Sequence, residues 1–87
     1  MIQVEKAGDD TYKVIVEEGG SRSKHTVTLR KDYYSKLTGG QISPEELIRS
    51  SFEFLLERES KESILSSFDL PVIQRYFPEY EERIRIN

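Results

Sequence analysis

Residues 11–30 read TYKVIVEEGGSRSKHTVTLR, and this stretch decides the fold. Tyr12, Val14 and Val16 alternate with Lys13 and Glu17. A period of two belongs to a strand with one buried face. Ile15 interrupts the polar side, so partial cover is expected there. Glu18-Gly19-Gly20-Ser21 reads as a tight turn, because Gly accepts the backbone angles that turns require. His25, Val27 and Leu29 then alternate with Lys24, Thr26, Thr28 and Arg30. The two runs predict an antiparallel hairpin with one apolar face that needs a cover.

Upstream, Ile2 and Val4 share a face, and Ala7-Gly8-Asp9-Asp10 reads as a turn. The first part of the chain, about 2–30, therefore predicts a three-stranded antiparallel meander. Downstream the period changes. Asp32 is the expected cap of a short helix holding Tyr33, Tyr34 and Leu37, stopped by Gly39-Gly40. Ser43-Pro44-Glu45-Glu46 is a capping-box signature, with Pro at the first helical position. The helix it opens is expected to reach about Glu59. Its apolar residues, from Leu47 and Ile48 to Phe52, Phe54, Leu55 and Leu56, form a stripe wide enough to touch two surfaces. Ser60 reads as another cap, with Ile64, Leu65 and Phe68 at helical spacing after it. Asp69 is expected to cap a last short helix bearing Val72, Ile73, Tyr76 and Phe77, which Pro78 ends. Residues 79–87 fit a strand or a helical turn equally.

The fold expected is α+β: the meander, then a helical half over about 32–80 packed on one sheet face, all in a single domain, 1–87. Apolar residues make 36% of the chain, and the 24 Ile, Leu, Val and Phe among them are more than disordered sequences carry. There is no Cys, which excludes disulfides, thiolate metal sites and cysteine catalysis. No apolar run exceeds three residues, so no membrane span is expected. MIQVEKAGDD lacks the basic flank and apolar stretch of a signal peptide, and a cytoplasmic protein is expected. A chain this short has little core to give up to an enzyme cavity. A surface site, or a core completed by a second subunit, suits it better.

Few residue sets point to chemistry. His25 is the sole histidine and has no neighbours at metal-ligand spacing. Glu45-Glu46 lie in the first turn of a helix, where the dipole accounts for them. No catalytic, cofactor or metal residue is assigned. The net charge is −3, yet residues 19–41 carry Arg22, Lys24, Arg30, Lys31 and Lys36 against Asp32 alone. Such a stretch is either a solvated face or a surface for nucleic acid. The stretch 68–80, FDLPVIQRYFPEY, is unusually apolar. Tyr76, Phe77 and Tyr80 either cover the sheet or form an exposed anchor for a partner.

Two resemblances follow from these residues. Residues 43–80, SPEELIRSSFEFLLERESKESILSSFDLPVIQRYFPEY, resemble a group of short bacterial proteins of unknown function. That resemblance implies a prokaryotic, cytoplasmic protein and no activity. Residues 25–59, HTVTLRKDYYSKLTGGQISPEELIRSSFEFLLERE, are similar in element order to ribbon-helix-helix DNA-binding proteins. This implies a nucleic-acid-binding regulator or antitoxin, in which the strand pairs with its twin in a dimer. Its outward side chains Thr26, Thr28 and Arg30, flanked by Lys24 and Lys31, would then meet the duplex. The leading expectation is a non-enzymatic protein-interaction module whose partner is another protein or a second copy in a homodimer. The alternative is the nucleic-acid binder built on the basic strand 24–31.

Overall fold

The computed structural model describes residues 1–85. Three antiparallel strands come first: β1 (Ile2–Lys6), β2 (Thr11–Glu18) and β3 (Ser21–Thr28). Their register places Val4 opposite Val14, and Val14 opposite His25, so Ile2, Val4, Tyr12, Val14, Val16, His25 and Val27 share one face. Tyr12, Val14, Val16, His25 and Val27 are buried. Gln3, Ile15, Lys24, Thr26 and Thr28 fall on the other face, as period two requires. Ile15 is half-buried there, between Gln3 and Lys24.

A fourth strand, β4 (Ser67–Asp69), joins the sheet at the far edge and runs parallel to β3. The helical spacing of Ile64, Leu65 and Phe68 concealed it. The segment before β4 holds only a single 3₁₀ turn, Lys61–Ser63. Phe68 therefore enters the sheet beside Val27, and Asp69 is a strand residue rather than a helix cap. The physical reason is pairing. The Thr26 amide donates to the Ser66 carbonyl at 2.8 Å, and the Leu70 amide donates to the Thr28 carbonyl at 2.9 Å. An isolated helix of that length would have few stabilising contacts of its own.

The helices are α1 (Lys31–Thr38), α2 (Pro44–Leu56), α3 (Val72–Tyr76) and α4 (Tyr80–Ile84). Asp32 does not cap α1. The cap position falls on Arg30, two residues earlier, and Asp32 accepts from the Tyr33 amide within the first turn. Gly39 stops α1 in the left-handed conformation, at φ 60°, with its amide on the Ser35 carbonyl. The Ser43 capping box forms as read: the Glu46 amide donates to Ser43 Oγ at 3.1 Å, and the Ser43 amide donates to the Glu46 carboxylate at 3.2 Å. The tail is helical over Tyr80–Ile84; Ile86, which the strand alternative would use, lies outside the described residues.

The wide stripe of α2 does meet two surfaces. Phe52 packs against His25 and Phe68 on the sheet side, with centroids 5.2 and 6.0 Å away. Phe54 packs edge-on against Phe77 and Tyr80 on the other, at 6.0 and 5.3 Å. Tyr80 is 0% exposed, and its hydroxyl lies 2.6 Å from the buried Ser51 Oγ. Ser51 itself donates to the Leu47 carbonyl at 2.8 Å, which leaves Tyr80 to donate to Ser51. The Tyr33 hydroxyl donates to Glu81 at 2.8 Å and joins α1 to α4.

Burial pushes the Tyr80 phenol well above its ordinary value of 10.0. Burial, then the bond to Glu81, does the same for Tyr33. A phenol raised in the folded state contributes its stability in full below the unfolded value and loses it as pH rises past it. Alkaline titration followed by phenolate absorbance is therefore expected to ionise Tyr33 and Tyr80 only with unfolding, at a pH above the ordinary phenol range. Tyr80→Phe removes one buried hydrogen bond and keeps the ring, so urea unfolding should register a loss of about 1 kcal/mol.

Candidate functional site

The chain leaves α2 through Glu59 and turns under the sheet edge. Ile64 is buried, but Leu65, next in line, is 46% exposed. Its position is imposed by its backbone. The Leu65 carbonyl lies 2.8 Å from His25 Nδ1, and Ser23 Oγ lies 2.8 Å from His25 Nε2. A carbonyl only accepts, so Nδ1 carries the hydrogen and donates to Leu65, while Nε2 and the Ser23 hydroxyl share the second hydrogen bond. His25 is thus a buried latch on β3, held against Phe52, that fixes residue 65 beside the strand and turns its side chain outward.

On the far side, α3 brings up Val72, Ile73 and Tyr76. Between these and Leu65 lies a shallow groove of about 30 Å³, floored by Leu55, Ile64 and Phe68 and closed by Phe77. Glu59 is the one charged residue on its wall. Tyr76 is 65% exposed. Apart from Met1, Leu65 and Tyr76 are the large apolar side chains that stand exposed among the described residues, and both line this groove.

The structure thus brings together two of the three residues expected to bind a partner. Tyr76 is exposed, and Phe77 is half-buried with one edge on the groove. Tyr80 is a correction: it is core, because Ser51 and Phe54 enclose it between α2 and α4. Leu65 was missed as a surface residue, since its spacing from Ile64 and Phe68 fits a helix stripe. Its signal was the break between Glu59 and Pro71, where no cap produces a full helix.

The basic stretch is dispersed. Lys24, Thr26 and Thr28 lie on the open sheet face, whereas Arg30 precedes α1 and Lys31 begins it. Thr26 sits between Lys13 and Ser67, and Thr28 between Thr11 and Asp69. Arg22 is paired with Glu17 at 3.0 Å, and Lys13 lies across from Glu5. β3 has β2 along one side and β4 along the other at 26–28, so the edge a ribbon-helix-helix strand offers its twin is occupied. Among the described residues, no three His, Asp or Glu side chains gather to hold a metal ion. None of the described helices is long and apolar enough to cross a membrane. In comparisons with protein-family models, curated proteins and solved structures, nothing matches this chain.

His25→Ala removes a buried ring and leaves the Leu65 carbonyl without its donor. The expected cost is about 2–4 kcal/mol in urea unfolding. Amide exchange at Leu70, which bonds β3, should quicken more than exchange within the β1–β2 ladder.

Proposed function

We propose that this chain is a cytoplasmic, non-enzymatic protein-interaction module that docks a partner protein in the groove between Leu65 and Tyr76. One observation carries the reading. Two large apolar side chains stand exposed across a groove whose floor is already packed, so the fold does not need them. Exposed aromatic and aliphatic residues around a shallow apolar groove are the usual anchor points of protein recognition. The groove suits a partner that offers an apolar side chain on an amphipathic surface. No catalytic residue is assigned in this reading. The nucleic-acid alternative draws less support, because its cations are spread over a sheet face and a helix start and alternate with Glu5, Glu17 and Asp69.

Leu65→Ser and Tyr76→Ser should each shift unfolding by no more than about 0.5 kcal/mol, as surface substitutions do. A photo-crosslinking residue placed at position 76 in cells should give a discrete adduct with a second protein. The adduct should vanish when Leu65→Ser is added, and it should not form from position 24 on the open sheet face. Adducts of the same pattern from both positions, or none from position 76, would overturn the proposal.

A further inference from the structure

The sheet has a second unused feature, far from the groove. β1 is an edge strand. Met1 and Glu17 exchange both backbone bonds, the Met1 nitrogen to the Glu17 carbonyl at 2.7 Å and the Glu17 amide to the Met1 carbonyl at 2.8 Å. Antiparallel ladders alternate, so Gln3 and Glu5 also bond toward β2, while Ile2, Val4 and Lys6 aim their amides and carbonyls outward. Arg49 of α2 donates to the Ile2 carbonyl, which confirms its direction and occupies one of that oxygen's two lone pairs.

We infer that β1 is a self-association edge, pairing antiparallel with β1 of a second copy about a two-fold axis at Val4. This goes beyond the groove reading and does not rest on it. Backbone parity allows the pairing: Val4 meets Val4 and Ile2 meets Lys6, all with outward groups. This is the register that matches all five residues of the strand. It places Gln3 opposite Glu5 on the open face, twice, with no like charges facing. A shift that centres the axis on Glu5 would oppose two carboxylates.

Side-chain charge agrees with the same register. Lys6 is exposed and lies on the covered face, because it pairs with Tyr12. Opposite Ile2 of the other copy, it would reach the cleft between β1 and α2. That cleft is lined by Glu18, Glu53 and Glu57 against Arg49 and the Met1 ammonium, with Glu57 also paired to Arg58 at 3.2 Å. A cation enters a lining with more carboxylates than cations, and the two-fold axis repeats the contact. The second copy is the occupant that supplies both the strand and this lysine.

Sedimentation equilibrium of the full chain tests the inference. The wild type should dimerise. Gln3→Lys, facing Glu5 of the other copy, should tighten the dimer, and Gln3→Glu should weaken it, each by roughly 2- to 30-fold for two symmetric contacts. Lys6→Glu should weaken it, and adding Glu53→Lys should restore it. Gln3 is exposed, so its variants should unfold in urea as the wild type does, and this is checked alongside. A chain that stays monomeric at millimolar concentration overturns the inference. So does a dimer indifferent to residue 3. A dimer abolished by Tyr76→Ser and unmoved at residue 3 would also overturn it, and would assign self-association to the groove instead.

Discussion

The parallel pairing of β4 with β3 is the constraint on which the rest of the structure depends. Two parallel neighbours cannot be joined by a tight turn, so the chain between them must cross from one end of the sheet to the other. Residues 29–66 make that crossing and carry α1 and α2 with them. Both helices then lie over the face that bears Val14, Val16 and Val27, and the other face stays open. His25 secures the arrangement from inside. Its ring holds the Leu65 carbonyl on one side and Ser23 on the other, so the last turn before β4 is tied to the strand that β4 must join.

Local rules made much of this legible. Alternation in residues 11–30 identified the hairpin, and the Ser43 box identified the start of α2 to the residue. The two-sided stripe of α2 was visible as a width, and the structure supplies its meaning: Phe52 faces the sheet and Phe54 faces Phe77 and Tyr80. What the sequence concealed was non-local. β4 has three residues and exists because β3 offers it an edge, which no window around Phe68 could report. Tyr80 looked like an exposed aromatic in a tail, because its partner Ser51 is a small polar residue in the middle of a helix. Leu65 looked like one position of a stripe, because the bond that holds it outward comes from His25, on another element. The candidate groove was therefore half legible: its α3 wall could be read from Tyr76 and Phe77, its facing wall could not.

The open sheet face shows why the basic stretch reads differently in three dimensions. Along the chain, residues 19–41 concentrate positive charge. Across the strands, β2 and β1 return carboxylates to the same face, with Glu17 beside Arg22 and Glu5 beside Lys13. A sheet mixes residues distant in sequence, so a run of like charges on one strand need not make a field of one sign. Here the mixing leaves a wet, balanced surface with Thr26 and Thr28 at its centre.

The groove proposed for docking and the edge proposed for self-association lie at opposite sides of the sheet. The groove is built on the β4 side, through Phe68, and the outward backbone groups of β1, with Arg49 on the Ile2 carbonyl, lie along the opposite edge. In a fold this small the interior is fully taken up: Phe52, Leu47, Ile48, Leu70 and Tyr80 are all below 2% exposed. A partner would therefore meet this fold at an edge or on its surface. The separation has a consequence for assembly. A dimer through β1 extends the sheet without touching Leu65 or Tyr76, and the two-fold axis then sets two grooves at the outer ends of one eight-stranded sheet. Two identical weak sites on a rigid body bind a repeated or dimeric partner far more tightly than either site alone, because the second contact forms at high effective concentration. A shallow groove with two exposed anchors is a weak site by itself, and joining two of them is the physical means by which such a module would hold its partner.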